Sequence, residues 1–513
     1  MPTHASGEGP SAGFTTDSTP GSTPGSTPGS TPGGTLGTFS SGARAWFTGI
    51  GGCGMSGLAR IAAARGVVVS GCDALESDVT RRLAAEGIDV TIGAGDLPEG
   101  LDLLVYSAAI DQDHPHRTQA GARGLPQLSY AQGLGLAQTG RLGVSIAGTH
   151  GKSTTAAMLA WILLDTDLDP GFIIGAHCPQ LGGGSRLGAA TIPSGPHAGE
   201  GGILIAEACE FNRSFHHHRP TMALITNVEE DHLDIYGSID AIIEAFTVFA
   251  QSLPGAEDGG SLLIAHDGAH RGRITPGLAC HVSTFGFHPE ADYQVVFDQA
   301  VNRVGILRDG MWVVQWTTHI PGAHMAMNAA AAVILAHQLG AEWTDAAEAA
   351  EQFEGLDRRM QCLGERPVTG GSVLVFDDYG HHPTEIEATL RALRVAQDPQ
   401  RLVCVFQPHQ HSRTRFLLDQ FAQSFGDADE VIVPDIYFVR DSEAEQKKVN
   451  ATDLVDRLQQ RGVHARHVPG FDAIVDLLGQ ELQDGDLLVI MGAGPVWTIG
   501  RDFMQSTSIT AGT

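Results

Sequence analysis

The chain has 513 residues, which at roughly 150 residues per domain accommodates about three domains. Lys and Arg total 31 against 59 Asp and Glu, a formal net charge of −28, which argues against partners that are gripped by phosphate neutralisation, such as nucleic acids. Apolar runs stay short of the ~18 residues of a membrane span, and the first residues lack the basic-then-apolar pattern of a secretory signal.

Residues 1–43 carry a Ser-Thr-Pro-Gly repeat from Ser18 to Gly33 and few large apolar side chains. Such a segment buries too little surface to offset its ordering entropy, so it is expected to be a disordered tail; residues 507–513 are a second, short tail. From Arg44 the pattern becomes α/β. A strand at Ala45–Gly49 leads through a Gly-rich turn into a helix near Met55–Arg65, and a second strand at Val67–Ser70 ends at Asp73. A third strand is expected at Leu101–Ser107. Gly49-x-Gly51-x-x-Gly54 with Asp73 about 20 residues on fits a dinucleotide fingerprint, which by itself suggests NAD as readily as a UDP-sugar. Further strands are expected at Arg141–Ala147, Gly202–Ala206 and Met222–Thr226. A third series follows at Ser372–Phe376, Leu402–Phe406, Glu430–Val433 and Asp486–Met491. Alternating strands and helices imply parallel sheets. The expected division is 44–139, 140–356 and 357–506.

Of the 31 basic residues only three are lysines, Lys152, Lys447 and Lys448, so chemistry that needs a lysine must use one of them. Lys152 lies in Gly148-Thr149-His150-Gly151-Lys152-Ser153-Thr154, after the strand Leu142–Ala147 and before a helical run at Thr155–Leu164. Glycines let backbone N–H groups close around phosphate, and a helix N-terminus adds a positive dipole end. The lysine neutralises outer phosphates and the serine hydroxyl can ligate Mg²⁺. The full P-loop pattern wants a glycine where Ile146 stands; the bland alternative is an ordinary strand-to-helix turn with a surface lysine. Glu207 ends the strand Gly202–Ala206, and Asn227–Asp234 follows Met222–Thr226 with Glu229, Glu230, Asp231 and His232. Open α/β sheets bind ligands at the carboxyl ends of their strands. Ser153, Glu207 and His232 are therefore the expected metal ligands, with carboxylates and a substrate phosphate suiting Mg²⁺. His216-His217-His218 lacks zinc spacing and is not expected to bind metal. The seven cysteines form no C-x-x-C pair and read as reduced thiols of a cytoplasmic protein.

Four stretches resemble the Mur ligase family, ATP-dependent enzymes that add amino acids to peptidoglycan precursors. They are Gly49–Gly57, Gly148–Thr154, Asp377-Asp378-Tyr379-Gly380-His381-His382-Pro383-Thr384-Glu385, and Gln407–Thr414. The resemblance spans about 44–506 and is nearest to the alanine-adding branch. It implies a Rossmann-like N-terminal domain, a central P-loop ATPase-type domain with a parallel sheet, and a Rossmann-like C-terminal domain. It also implies ligation of L-alanine to the lactyl carboxylate of UDP-N-acetylmuramate through an acyl phosphate, with ATP and Mg²⁺, by a monomer or weak dimer. By the same resemblance, Gly49, Gly51, Gly52, Gly54, Met55, Ser56 and Asp73 meet the UDP-sugar. Gly148–Thr154, Asn328, Arg359 and Asp377 meet ATP. Tyr379, His409 and Arg413 receive the amino acid. Lys152 serves catalysis, and His232 or His381 is a base for the amine. Without the resemblance, Asn328 reads as a polar residue in an Ala-rich helix and His381-His382 as turn histidines before Pro383.

Two departures stand out. Gln410 and His411 replace an Arg-Tyr pair common in the alanine-adding branch. No lysine lies between Ser153 and Gln446, which excludes the carbamylated lysine that relatives adding later amino acids use for a second Mg²⁺. The competing readings are a ligase that attaches a whole tripeptide during wall recycling, and a nucleotide-binding scaffold without turnover.

Overall fold

The computed structural model describes residues 39–93, 95–439 and 441–506; the repeat segment up to residue 38 and residues 507–513 lie outside it. Ordered packing starts slightly before residue 44. Phe39 packs on the N-terminal core, and Val68 N–H donates to Ala43 C=O at 2.8 Å.

The first sheet contains β1 (Arg44–Thr48), β2 (Val68–Asp73), β3 (Asp89–Ile92), β4 (Leu103–Tyr106) and β5 (Gln127–Ser129). Its order is β3-β2-β1-β4-β5, with every pair parallel. The strand order reverses beside β1, so the loop after β1 opens at a topological switch point, where such sheets leave a crevice. That loop is Gly49–Gly52, and it runs into helix α1 (Cys53–Ala64), whose Leu58, Ala59, Ile61 and Ala62 are buried in the core.

The second sheet has ten strands: β6 (Leu142–Ala147), β7 (Gly171–Ile173), β8 (Ser185–Arg186), β9 (Ile203–Glu207), β10 (Met222–Ile225), β11 (Ser261–Ala265), β12 (His281–Gly286), β13 (Tyr293–Asp298), β14 (Arg303–Arg308) and β15 (Met311–Thr317). Their order is β15-β14-β13-β12-β11-β10-β6-β9-β7-β8. All six residues of β6 are buried, as expected of a parallel strand covered on both faces. Helix α2 (Lys152–Asp165) and the Ala-rich helix α3 (Ala323–Gln338) pack together over this sheet. Their small side chains allow the close approach that brings α3 against the loop after β6. The meander β13-β14-β15 is antiparallel, an extension that the parallel reading of the sequence does not include.

The third sheet contains β16 (Gln361–Val368), β17 (Gly371–Asp378), β18 (Arg401–Phe406), β19 (Glu430–Val433), β20 (His464–His467) and β21 (Asp486–Met491). The order is β16-β17-β21-β18-β19-β20, and only β16 runs antiparallel. Helix α4 (Pro383–Gln397) follows β17, and the short helix α5 (His411–Phe416) follows β18. His382 caps α4: its ring accepts from Thr384 N–H, and the Glu385 carboxylate returns to His382 N–H. The chain thus forms three α/β domains, with the Gly-rich loop, the phosphate loop, the two acidic loops and the β17–α4 turn all at carboxyl ends of strands. No helix among the described residues is long and apolar enough to cross a membrane.

Candidate active site

The loop after β6 has the shape that its glycines permit. Gly148 and Gly151 sit at φ +132° and +82°. A Cβ on Gly148 would collide with Thr226 Oγ1, and one on Gly151 with Asn328 Oδ1, so both positions exclude a side chain by space as well as by dihedral angle. Gly151 caps α2, leaving the first amides of that helix at the mouth of the loop. Lys152 lies within the turn. Its Nζ donates to Gly148 O (2.5 Å) and Thr149 O (3.0 Å) and pairs with Glu210 at 3.0 Å. Burial opposes its charge, but Glu210 more than compensates, so its pKa is raised and the ammonium is retained.

Ser153 Oγ donates to Glu207 Oε2 at 3.1 Å, and Gly175 N–H donates to Glu207 Oε1 at 2.6 Å. A hydroxyl and a buried carboxylate converging at the end of β9 are hard oxygen donors of the kind Mg²⁺ takes. Burial raises the Glu207 pKa, a cost that a cation there would remove. His232 stands in a second group: ligand atoms of Glu210, Asp231 and His232 lie within 4.8 Å of one another. His232 Nδ1 is also 3.4 Å from Arg413 Nη2, which occupies its lone pair. His216 and His218 make separate bonds, to Ala245 O and Ser145 Oγ.

Two cavities meet at this loop. One, of about 980 Å³, is lined by Thr154, Asn227, His324, Asn328, Asp378 and the start of α4. The other, of about 1000 Å³, runs from Gly51, Ser56, Arg60 and Arg82 past Lys152, Ser153 and Glu207 to His232, Tyr379 and His381. His150, Gly151, Arg359 and Glu385 line both. The loop after β6 therefore stands between an α3-side chamber and a chamber shared with the N-terminal domain.

The other expected site residues divide. Gly51 and Ser56 line the second cavity. Asp73 acts behind them, its Oδ2 accepting from Gly51 N–H at 2.8 Å. Gly49 adopts φ +79°, Gly52 caps α1, and a Cβ on Gly54 would strike Tyr130 Oη. Met55, 3% exposed, belongs to the core rather than to the cavity. Asn328 lies against Gly151 in the first cavity, and Arg359 sits at the junction.

Asp377, Arg413 and His409 line neither of these cavities. Successive side chains of β17 point to opposite faces, so Asp378 faces the first cavity while Asp377 lines a separate 460 Å³ cavity with Trp497 and Arg501. Burial raises the pKa of both, Asp377 to about 7 and Asp378 to about 6. Arg413 is not presented to either cavity: its guanidinium forks onto Asp231, with Nε–Oδ1 at 3.0 Å and Nη2–Oδ1 at 2.8 Å. His409 lies behind it, Nδ1 at 3.3 Å from Arg413 Nη1. Tyr379 does line the second cavity, with the Arg358 and Arg359 guanidinium groups over its ring at 4.9 and 4.8 Å. His381 lines it too, but burial and then Arg413 push its pKa down to about 3, which makes it a weak proton acceptor. Sequence reasoning assigned no role to Glu385, Asp378 or Glu210; the first two lie inside a motif it quoted, and Glu210 lies beside Glu207.

Family models match three consecutive stretches of the chain: the Mur ligase family, catalytic domain, over 45–139; the Mur ligase middle domain over 146–336; and the Mur ligase, glutamate ligase domain, over 358–494. A UDP-N-acetylmuramate–L-alanine ligase of Agathobacter rectalis is 37% identical over 474 residues, 91% of this chain and 99% of that protein. The chain belongs to the Mur ligase family. Solved structures of the family share the fold. The UDP-N-acetylmuramate-alanine ligase MurC of Thermotoga maritima matches with a TM-score of 0.68 at 24% identity, covering 90% of this chain and 98% of that one. A murein peptide ligase of Psychrobacter arcticus matches at 0.66, also 24% identical, covering 92% and 100%.

Proposed function

We propose that this Mur ligase joins L-alanine to the lactyl carboxylate of UDP-N-acetylmuramate at the expense of ATP, in the cytoplasm. One observation carries the reading: a phosphate loop holding the buried Lys152 stands at the junction of two large cavities, one reaching the Gly-rich loop of the N-terminal domain. The kinship with alanine ligases over nine-tenths of the chain selects the substrates. The working divisions are 44–139 for the UDP-sugar, 140–356 for ATP and 357–506 for the amino acid.

ATP lies along the phosphate loop with its base beside Asn328 in the first cavity, and its terminal phosphate points into the second. Loop amides, Lys152 and Arg359 stabilise the charge of the transferring phosphoryl group, the protein's main task in such transfers. Ser153 and Glu207 would hold Mg²⁺, which would neutralise phosphate charge. The UDP-sugar enters past Gly51 and Ser56. Its lactyl carboxylate attacks the γ-phosphorus, giving an acyl phosphate and ADP. The amine of alanine then attacks the carbonyl and releases phosphate. His381 Nδ1–H donates to Tyr379 O at 3.1 Å, which leaves Nε2 as the nitrogen to accept an N–H of the amine. With so low a pKa it orients the free amine rather than deprotonating an ammonium. Closure of the C-terminal domain shields the acyl phosphate from water.

The test is phosphate release with ATP, UDP-N-acetylmuramate and one of alanine, glycine, serine or the tripeptide. Release fastest with alanine supports the proposal. Release with the tripeptide alone points to the recycling ligase, and release with none points to a scaffold.

A further inference from the structure

Among the side chains of the phosphate loop that this chemistry leaves unused is that of His150. Its backbone is fixed on both sides: N–H donates to Asn227 Oδ1 at 2.8 Å, and C=O accepts from Thr226 Oγ1 at 2.5 Å. The ring is held between two carboxylates from different parts of the chain. Nδ1 lies 3.1 Å from Glu385 Oε1 at the start of α4, and Nε2 lies 3.6 Å from Glu229 Oε2 in the loop after β10.

Each carboxylate is engaged further. Glu229 accepts from Thr384 Oγ1 at 2.6 Å. Glu385 accepts from His381 N–H at 3.0 Å and lies 3.6 Å from Arg359 Nη1. Glu385 thus joins the loop histidine to the arginine at the cavity junction. A metal held by His150, Glu229 and His382 is a poor alternative, although their ligand atoms cluster within 4.8 Å. Both His382 ring nitrogens are already bonded, Nε2 to Glu230 O at 3.1 Å and Nδ1 to Thr384 N–H at 3.3 Å.

We infer that His150 is a positioning residue, whose ring, fixed by the phosphate loop, holds Glu385 and through it Arg359 at the junction of the two cavities. Docking of the C-terminal domain is thereby set in register with the phosphates. The inference rests on the reading of this loop as the ATP site. A side chain one bond out of place at such a junction misaligns the reacting groups while leaving the fold and the UDP-sugar contacts intact.

The experiment compares the wild-type chain with His150→Gln, His150→Asn, Glu385→Gln and the His150→Gln/Glu385→Gln double variant. Steady-state kinetics is combined with small-angle scattering of each ligand-free chain. Two histidine variants guard against one that fails to fold. Each single variant is expected to lower kcat by roughly tenfold or more, with the KM for the UDP-sugar within about twofold of wild type. The double variant is expected to be no worse than the poorer single one, because both act on one chain of contacts. The radius of gyration is expected to rise in all variants as the C-terminal domain loosens. Losses that multiply in the double variant, or single variants with wild-type kcat, overturn the inference. A wild-type chain inactive with the proposed substrates would defeat the ligation reading. The scattering would still decide this inference, since equal radii in wild type and variants contradict it.

Discussion

Asp231, in the loop after β10, and Arg413, in helix α5 of the C-terminal domain, form a forked ion pair across the domain junction, with both side chains less than a tenth exposed. Burial raises the cost of the Asp231 charge, but Arg413 outweighs it and holds the carboxyl well below the usual range. In this arrangement the Arg413 guanidinium is engaged by Asp231 and does not line either cavity.

Breaking this pair on one side leaves an uncompensated buried charge, which costs about 3–5 kcal/mol. Asp231→Ala is therefore expected to lower the melting temperature by several degrees, measured by calorimetry. An unchanged melting temperature would show that the pair is not formed in solution.

The pair around His150 makes a pH prediction. Burial disfavours the charged ring, but Glu385 and Glu229 overcome this and push its pKa from 6.5 up to about 9. That contribution to stability is complete below pH 6.5 and is lost as pH rises through about 9. Burial opposes the Glu229 charge, but the histidine brings its pKa from 4.5 down to about 2. That contribution is complete above pH 4.5 and is lost as pH falls through about 2. The melting-temperature gap between wild type and His150→Gln should therefore be widest near pH 4.5–6.5 and shrink by about pH 9.5. A gap that stays constant to alkaline pH would refute the charge assignment.

Much of this architecture is legible in the sequence, because the elements that bear it are local. Strand β6, the glycines after it and helix α2 follow one another, and the lysine count singles out Lys152. What the sequence does not reveal is non-local. The clasp of His150 by Glu229 and Glu385 joins residues 79 and 235 positions apart. Which face Asp377 and Asp378 each take is also hidden, because strand parity needs an observed pleat. The antiparallel direction of the β13-β14-β15 meander is likewise non-local, since it is set by which strand pairs with which and not by the residues of any one strand.

Gly54 offers a separable test of the N-terminal cavity. A Cβ there strikes Tyr130 Oη, and overpacking of this kind costs about 1–3 kcal/mol. Gly54→Ala is expected to raise the KM for the UDP-sugar by roughly tenfold and leave the KM for ATP unchanged. Equal effects on both would mean that the two cavities are not distinct substrate chambers.

Glu207 and Lys152 test the phosphate site. Glu207→Ala is expected to raise the Mg²⁺ concentration needed for half-maximal turnover by roughly tenfold or more, because a ligating carboxylate is lost. Lys152→Ala is expected to abolish ligation with the circular dichroism spectrum intact. An unmoved Mg²⁺ titration would remove Glu207 from the metal site, and substantial turnover would remove Lys152 from the phosphates.

The central claim is that a carboxylate of the sugar substrate attacks ATP to form an acyl phosphate, which alanine then consumes. It is tested most directly with UDP-N-acetylmuramate carrying ¹⁸O in its lactyl carboxylate. Mass spectrometry of the phosphate released on complete turnover with ATP and alanine should find one ¹⁸O atom in each phosphate. Unlabelled phosphate, with the displaced ¹⁸O found in water or another product, would contradict the acyl phosphate and the mechanism built on it.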